Sequence, residues 1–243
     1  MNFLLISDLD DTIKISNTEK KIITIYRGLF RYSAFSGMAE LYTQLTQNSC
    51  ASENNPYFHI ISSSPPAIRK RIEKFLKQNK FPSAILTLRD WIRESSIPKY
   101  KHRALEQVLR SSDAPLILIG DDTEYDPEIF TTFAEMYPER VLTIYIRAIK
   151  DRPLPKAAKK FYTAFDIACA ELAAERLTQE QVLLVGNAVL DAQKHSRLIP
   201  TFMKRPPLDF IPFLSQLGNV DQKLLDLWDK IHKKIHLMPK KKS

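Results

Sequence analysis

Five short apolar runs rich in β-branched residues punctuate the chain: "FLLIS" at Phe3–Ser7, "FHIIS" at Phe58–Ser62, "LILIG" at Leu116–Gly120, "LTIYI" at Leu142–Ile146 and "VLLVG" at Val182–Gly186. Each is bounded by polar turn residues, the pattern of a strand. In several of the intervals apolar residues return at helical spacing, and helices are expected over Gly37–Gln47, Pro65–Asn79, Lys101–Arg110, Pro127–Tyr137, Lys156–Arg176 and Leu190–Arg197. Pro65 and Pro66 suit a first helical turn, where the missing donor costs nothing, and Ser64 is placed to cap it. "TQNSCASENNPY" is polar and turn-rich and reads as a loop before the second strand. The alternation predicts an α/β domain with a mainly parallel sheet. "MKRPPLDFIPF" then reads as a linker into a last helix, "VDQKLLDLWDKIHKKI", whose Leu224, Leu225, Leu227, Trp228 and Ile231 are expected to dock back on the domain.

Parallel sheets bind ligands beyond the carboxyl ends of their strands, so the residues after each apolar run are where chemistry is expected. After the first run come three carboxylates in four positions, Asp8, Asp10 and Asp11. Residues two apart on an extended chain point the same way, so Asp8 and Asp10 can address one ligand. Two such neighbours repel unless a cation or a shared proton lies between them, and magnesium, which takes about six oxygen ligands, is a suitable cation. A second acidic cluster, "LILIGDDTEYDPE", supplies Asp121, Asp122 and Asp126 to complete its shell. "HIISSSPP" puts Ser62 and Ser63 between a strand and a helix N-terminus, where hydroxyls and unpaired backbone N–H groups bind phosphate oxygens. Lys101 opens the next predicted helix and can hold phosphate beside an aspartate nucleophile, with Lys99 as a nearby competitor.

Composition narrows the class without changing that picture. The 243 residues, 44% of them hydrophobic, suffice for one α/β domain with a small appendage. No run of about 18 apolar residues suggests a membrane span, and the N-terminus turns acidic too early for a signal peptide, so the expected compartment is the cytoplasm. Cys50 and Cys169 have no paired spacing and read as ordinary thiols. The net charge of +8 is biased toward the C-terminus, where Lys230, Lys233, Lys234, Lys240, Lys241 and Lys242 gather. That tail is either a solvated end or a means of peripheral contact with an anionic membrane. No nucleic-acid-binding signature accompanies it.

The ordered set "DLDDT", "S", "K" and "GDDTEYD", each after an apolar run or close to one, resembles the haloacid dehalogenase superfamily of aspartate-nucleophile phosphohydrolases, whose first motif is D-x-D-x-T. "DLDDTIKIS", "SGMAELYTQL", "FHIISSSP", "KFLKQNKFPSAILTLRDW", "LILIGDDTEYDPEIF" and "IYIR" resemble, in order, the actin-patch-type phosphatidate phosphatases. The likeness runs from about Phe3 to Arg147 and more faintly through "VLLVGNAVLDAQKHSRLIP". It implies a Rossmann-like three-layer α/β/α sandwich with a small or absent cap, a phosphatase domain over residues 1–200, and a linker, helix and basic tail over 201–243. It implies magnesium as cofactor and a phosphorylated lipid as substrate. By position, Asp8 would be the nucleophile and Asp10 the general acid and base, its backbone carbonyl also on the metal. Ser62, Ser63 and Lys101 would bind the phosphoryl group, Asp8, Asp121 and Asp126 would hold magnesium, and Thr12 would fix the loop after the nucleophile.

Two departures stand out. The family's fourth motif usually reads G-D-S-G, whereas Gly120-Asp121-Asp122-Thr123 adds a charge and loses a glycine's backbone freedom. Pro66 stands where the family tends to carry an aromatic. Asp122 reads either as an extra metal-site carboxylate or as a solvated side chain. Arg89, Arg147 and Lys14 read either as contacts to a substrate anion or as cations paired with a nearby Asp or Glu, and His59 reads as a core residue. Too few residues separate Thr12 from the second strand for a large inserted cap, and an open crevice suits a lipid headgroup or phosphoprotein better than an enclosed metabolite. The expected activity is magnesium-dependent hydrolysis of phosphatidate. The alternatives are a phosphatase for another monoester, or an inactive module that binds phosphorylated lipid or protein.

Overall fold

The computed structural model describes residues 2–16, 32–48, 57–210 and 221–237. Its centre is a six-stranded sheet built from β1 (Leu4–Ser7), β2 (Phe58–Ser62), β3 (Ile85–Leu88), β4 (Leu116–Asp121), β5 (Val141–Arg147) and β6 (Ala158–Phe161). The order is β3-β2-β1-β4-β5-β6, and every pair is parallel. The helices are α1 (Met38–Asn48), α2 (Arg69–Gln78), α3 (Ile97–Ser111), α4 (Asp126–Met136), α5 (Ala164–Ala173), α6 (Gln179–Leu190) and α7 (Gln222–His236).

Alternate strand residues feed two apolar cores, as the two-residue pleat requires. Leu5, Ile60, Ile117, Ile119 and Tyr145 face α1, α2, α5, α6 and α7; Leu4, Ile6, Ile61, Leu118, Ile144 and Ile146 face α3 and α4. Both faces are covered, giving the Rossmann-like α/β/α sandwich, and the central strands are uniformly buried as parallel strands usually are. The strand order reverses between β1 and β4, the place where a crevice opens at the carboxyl edge of such a sheet. α7 buries Leu224, Leu227, Ile231 and Ile235 in the larger core, while Leu225 remains 38% exposed. Among the described residues no helix is long and apolar enough to cross a membrane.

Several elements differ from the expectation. "VLLVG" lies inside helix α6, not in a strand. Thr178 caps that helix by accepting from the Gln181 N–H while the Gln181 side chain accepts from Thr178 N–H, and Val182, Val185 and Val189 face the core at helical spacing. The segment expected as one helix over Lys156–Arg176 divides into β6 and α5, with Asp166 accepting from the N–H groups of Tyr162 and Thr163 at the break. β6 carries Lys159 and Lys160 on the sheet edge, and these charges hide it from a search for apolar runs. β3 was likewise unexpected. The helix expected over Leu190–Arg197 ends at Leu190, and only a single 3-10 turn, His195–Arg197, follows. α3 begins at Ile97, capped by Ser96, so Lys101 sits a full turn inside it. The expected helix at Pro65 opens with a 3-10 turn, Pro66–Ile68, and Ser64 does not cap it. Cys169 is buried; Cys50 and the lysines at 240–242 lie outside the described residues.

Candidate active site at the carboxyl edge of the sheet

The chain extends the β1–β4 ladder one residue past β1, where the Asp8 N–H donates to the Ile119 carbonyl at 2.9 Å. It then turns sharply. Asp11 takes a left-handed backbone (φ 58°), a conformation that Asp tolerates better than most residues, and its side chain accepts from the Ser16 N–H at 2.8 Å. Asp11 therefore fastens the turn.

Each of the two leading carboxylates has its own buried lysine. Lys101 Nζ donates to Asp8 Oδ1 at 2.8 Å and also to Asp126, while Lys14 Nζ donates to Asp10 Oδ1 at 2.8 Å. Burial would pull the Lys101 ammonium down, but Asp126 and Asp8 hold it well above the usual lysine value. Ser16 also donates to Asp10 Oδ1, and Ser64 donates to Asp10 Oδ2 at 3.1 Å. Lys14 is thus a support to Asp10, and Ser64 serves the carboxylate rather than the helix. Asp10 stands apart from the convergent set. Oxygens of Asp8, Asp121 and Asp126 lie within 4.8 Å of one another, a buried acidic triad that could hold a metal ion, and the Asp10 side chain is outside it.

The second cluster is built by β4 and the start of α4. Asp121 accepts from Thr12 Oγ1 at 3.1 Å, from the Thr123 N–H at 2.7 Å and from the Thr123 hydroxyl. Burial, then the charges of Asp126, Asp8 and Asp11, push its carboxyl well above the ordinary aspartate value. Thr123 has no left-handed backbone, so this turn does not need the glycine that the family pattern carries, and its hydroxyl adds a bond that glycine lacks. Gly120 is needed for another reason: a Cβ there would lie 2.5 Å from Asp126 Oδ2 and 2.7 Å from Asp126 Cβ.

Neither reading of Asp122 holds. Its side chain is 1% exposed and accepts from the N–H groups of Ile149 and Lys150 at 2.8 Å and of Arg152 at 3.2 Å. It pins the loop after β5. Arg147 also departs from both expectations, since it is fully buried between the rings of Phe35 (3.8 Å) and Phe161 (4.6 Å). It donates to the carbonyls of Thr12 at 3.0 Å and Tyr162 at 2.7 Å, and burial pushes its guanidinium down to about 9. Arg89 is half-buried; its N–H donates to the Ser62 and Ser64 carbonyls, so its backbone holds the serine loop. His59 is buried in β2 as expected, and burial lowers its pKa.

Asp8, Asp10, Ser63, Lys101, Asp121, Thr123, Glu124 and Asp126 line one small cleft. Ser62 lies just behind it, its Oγ accepting from the Ser64 N–H at 3.2 Å. The sequence alone assigns Thr123, Glu124 and Ser16 no role at the site, and it marks Ser64 only as a helix cap. Thr123 and Glu124 sit within the quoted acidic motif, but nothing in their spacing marks which of its side chains turn inward.

Residues 3–148 match the family model described as phosphatidate phosphatase APP1, catalytic domain. The chain is similar to phosphatidate phosphatase APP1 of Saccharomyces cerevisiae, with 29% identity over 153 residues, 59% of this chain and 25% of that protein. It is similar also to an uncharacterised protein of Schizosaccharomyces pombe, with 26% identity over 156 residues, 60% of this chain and 25% of that one. The chain thus spans about a quarter of the length of these relatives. No solved structure matches it significantly.

Proposed function

The chain belongs to the family of the phosphatidate phosphatase APP1 catalytic domain, and from that premise we propose that it is a magnesium-dependent phosphatase that converts phosphatidate to diacylglycerol and inorganic phosphate through an aspartyl phosphate on Asp8. The observation that carries this reading is the buried grip of Lys101 on Asp8, beside Asp121 and Asp126 carboxylates that converge with it at the switch point of the sheet. The same groups suit the haloacid dehalogenase type of phosphoryl transfer, acting from the cytoplasm on a membrane lipid.

The donor set fits magnesium: three carboxylates, hard oxygen ligands, with no nitrogen or sulfur among them. Burial, and then the charges of Asp126, Asp8 and Asp11, disfavour an ionised Asp121, and a divalent cation in the triad would offset both. Held by Asp8, Asp121 and Asp126, magnesium would neutralise phosphoryl oxygens and so ease the approach of an anionic nucleophile.

The chain's own residues account for the rest. Asp8 attacks phosphorus, and the ester P–O bond breaks with its electrons on the glycerol oxygen, which takes a proton from Asp10. Asp10, now ionised, takes a proton from water as the water oxygen attacks phosphorus of the aspartyl phosphate, and the Asp8–P bond breaks with its electrons returning to the Asp8 carboxylate, releasing phosphate. Lys14 and Ser16 hold Oδ1 of Asp10, so Oδ2, on the Ser64 side, exchanges the proton. The Ser64 hydroxyl donates to that oxygen when it is ionised, and when the carboxyl is protonated its single hydrogen goes to the glycerol oxygen. Lys101 and Ser63 secure the phosphoryl oxygens, Ser62 supports the serine loop from behind by accepting from the Ser64 N–H, and Thr12 holds Asp121 in place.

Phosphate release from phosphatidate vesicles, soluble phosphomonoesters and phosphopeptides, with magnesium and with chelator, tests the reading. Release from phosphatidate is expected only with magnesium, and Asp10→Asn is expected to slow it about 10²–10⁴-fold. Asp8→Asn should abolish it. No release from any substrate would overturn the proposal, and release confined to soluble esters or phosphopeptides would remove the lipid.

A further inference from the structure

The loop after β3 presents apolar side chains to solvent beside the catalytic cleft. Ile92 is 96% exposed, more than any other large apolar side chain among the described residues, and Trp91 is 39% exposed. This is no loose turn. Asp90 accepts from the N–H groups of Ile92 at 3.0 Å and Arg93 at 3.4 Å, and Glu94 is ion-paired with Arg103. The indole N–H is spent inward on the Ser63 carbonyl at 2.8 Å, so the ring is tied to the serine loop while part of its apolar surface faces out. Arg93, exposed within the turn, lies 3.6 Å from Asp90 as an ion pair, and exposed Arg69, at the start of α2, donates to the Leu86 carbonyl of β3. Across the cleft, at the same edge of the sheet, Tyr125 is 51% exposed.

An aromatic ring, a bare aliphatic side chain and exposed arginines in and near the turn are what an interface between water and anionic lipid accommodates: rings settle at headgroup level, alkyl groups enter the acyl boundary, and cations meet the surface potential. We propose that the Asp90–Arg93 turn is the edge by which the domain enters an anionic bilayer, bringing the cleft to the phosphate of a lipid that stays in the membrane. This rests on the phosphatidate reading for its purpose, but its test does not use the substrate. The Trp91–Ser63 bond couples the two: the side chain that meets lipid also holds the backbone of the phosphate-binding loop.

The 243-residue chain is sedimented with vesicles of equal phosphatidylcholine and phosphatidylserine, which contain no phosphatidate. Ile92→Ser is expected to weaken binding about tenfold and Arg93→Gln about fivefold. Leu184→Ser, at a 57% exposed position on α6, should leave it unchanged. In a Trp228→Phe background, Trp91 fluorescence should be quenched by brominated acyl chains. Binding undiminished by Ile92→Ser, an unquenched indole, or capture by a phosphopeptide column that Ile92→Ser abolishes while vesicle binding persists would each overturn the proposal. Loss of phosphatidate hydrolysis with vesicle binding intact would instead count against the proposed activity.

Discussion

At the scale of single residues, the crowding of carboxylates after β1 is resolved by division. Asp8 and Asp10 follow one strand, yet Lys101 takes the first, Lys14 the second, and the turn itself uses Asp11. Burying such charges is tolerable because each is paired and hydrogen-bonded. Asp122 shows how closely neighbouring acids divide their work: Asp121 turns into the cleft, and Asp122 turns away to collect three backbone N–H groups. Asp122→Asn is therefore expected to leave the magnesium midpoint within about twofold of wild type while costing about 1 kcal/mol in urea unfolding, as charge-assisted bonds become neutral ones. Asp121→Asn should lose magnesium binding. Titration calorimetry on both variants decides, and a large affinity loss in Asp122→Asn would place that residue at the metal. Arg147 carries a similar lesson, since a cation at a strand end suggested an anion nearby, whereas its partners are two carbonyls and two aromatic rings.

At the scale of elements, α4 enters so close to β4 that only hydrogen fits on Gly120. Gly120→Ala must displace Asp126, and with it the contact to Lys101 and the acidic triad. The expected outcome is a loss of magnesium affinity and turnover of about tenfold or more, with a stability cost of about 1–3 kcal/mol. Gly186→Ala is the matched control: its Cβ would lie 2.5 Å from Leu227 and 2.8 Å from Phe165, far from the cleft, so it should cost stability without moving the metal midpoint. Equal effects on metal binding would refute the role given to Gly120. The elements also show why some were misread. "VLLVG" is apolar enough for a strand, but a capping box starts a helix before it, and the core takes up its valines at helical spacing. "AKKF" pairs with β5 despite its charges because an edge strand needs only one partner and can leave lysines in solvent.

At the scale of the whole molecule, the triad draws on β1, β4 and the start of α4, elements far apart in sequence that only the folded sheet brings together. A cation held there binds the native state alone. Magnesium at about 100 times its dissociation constant should then stabilise the protein by about 2.7 kcal/mol, read as a rise in Tm that chelator reverses and Asp121→Asn abolishes. An unchanged Tm would remove the metal from the triad. Across these scales the sequence by itself determined the central strands, the parallel direction that their helical connections impose, the carboxylates and serines at the strand ends, and the lysine on the helix before β4. Those follow from local burial patterns and from chemistry that needs particular side chains at particular places. Only the tertiary structure decided that Lys14 and Ser64 serve Asp10, that Asp122 and Arg147 hold loops, that β3 and β6 complete the sheet, and that Trp91 reaches the serine loop. Each of these depends on a partner distant in sequence or on which way a side chain turns, and no local pattern along the chain encodes either.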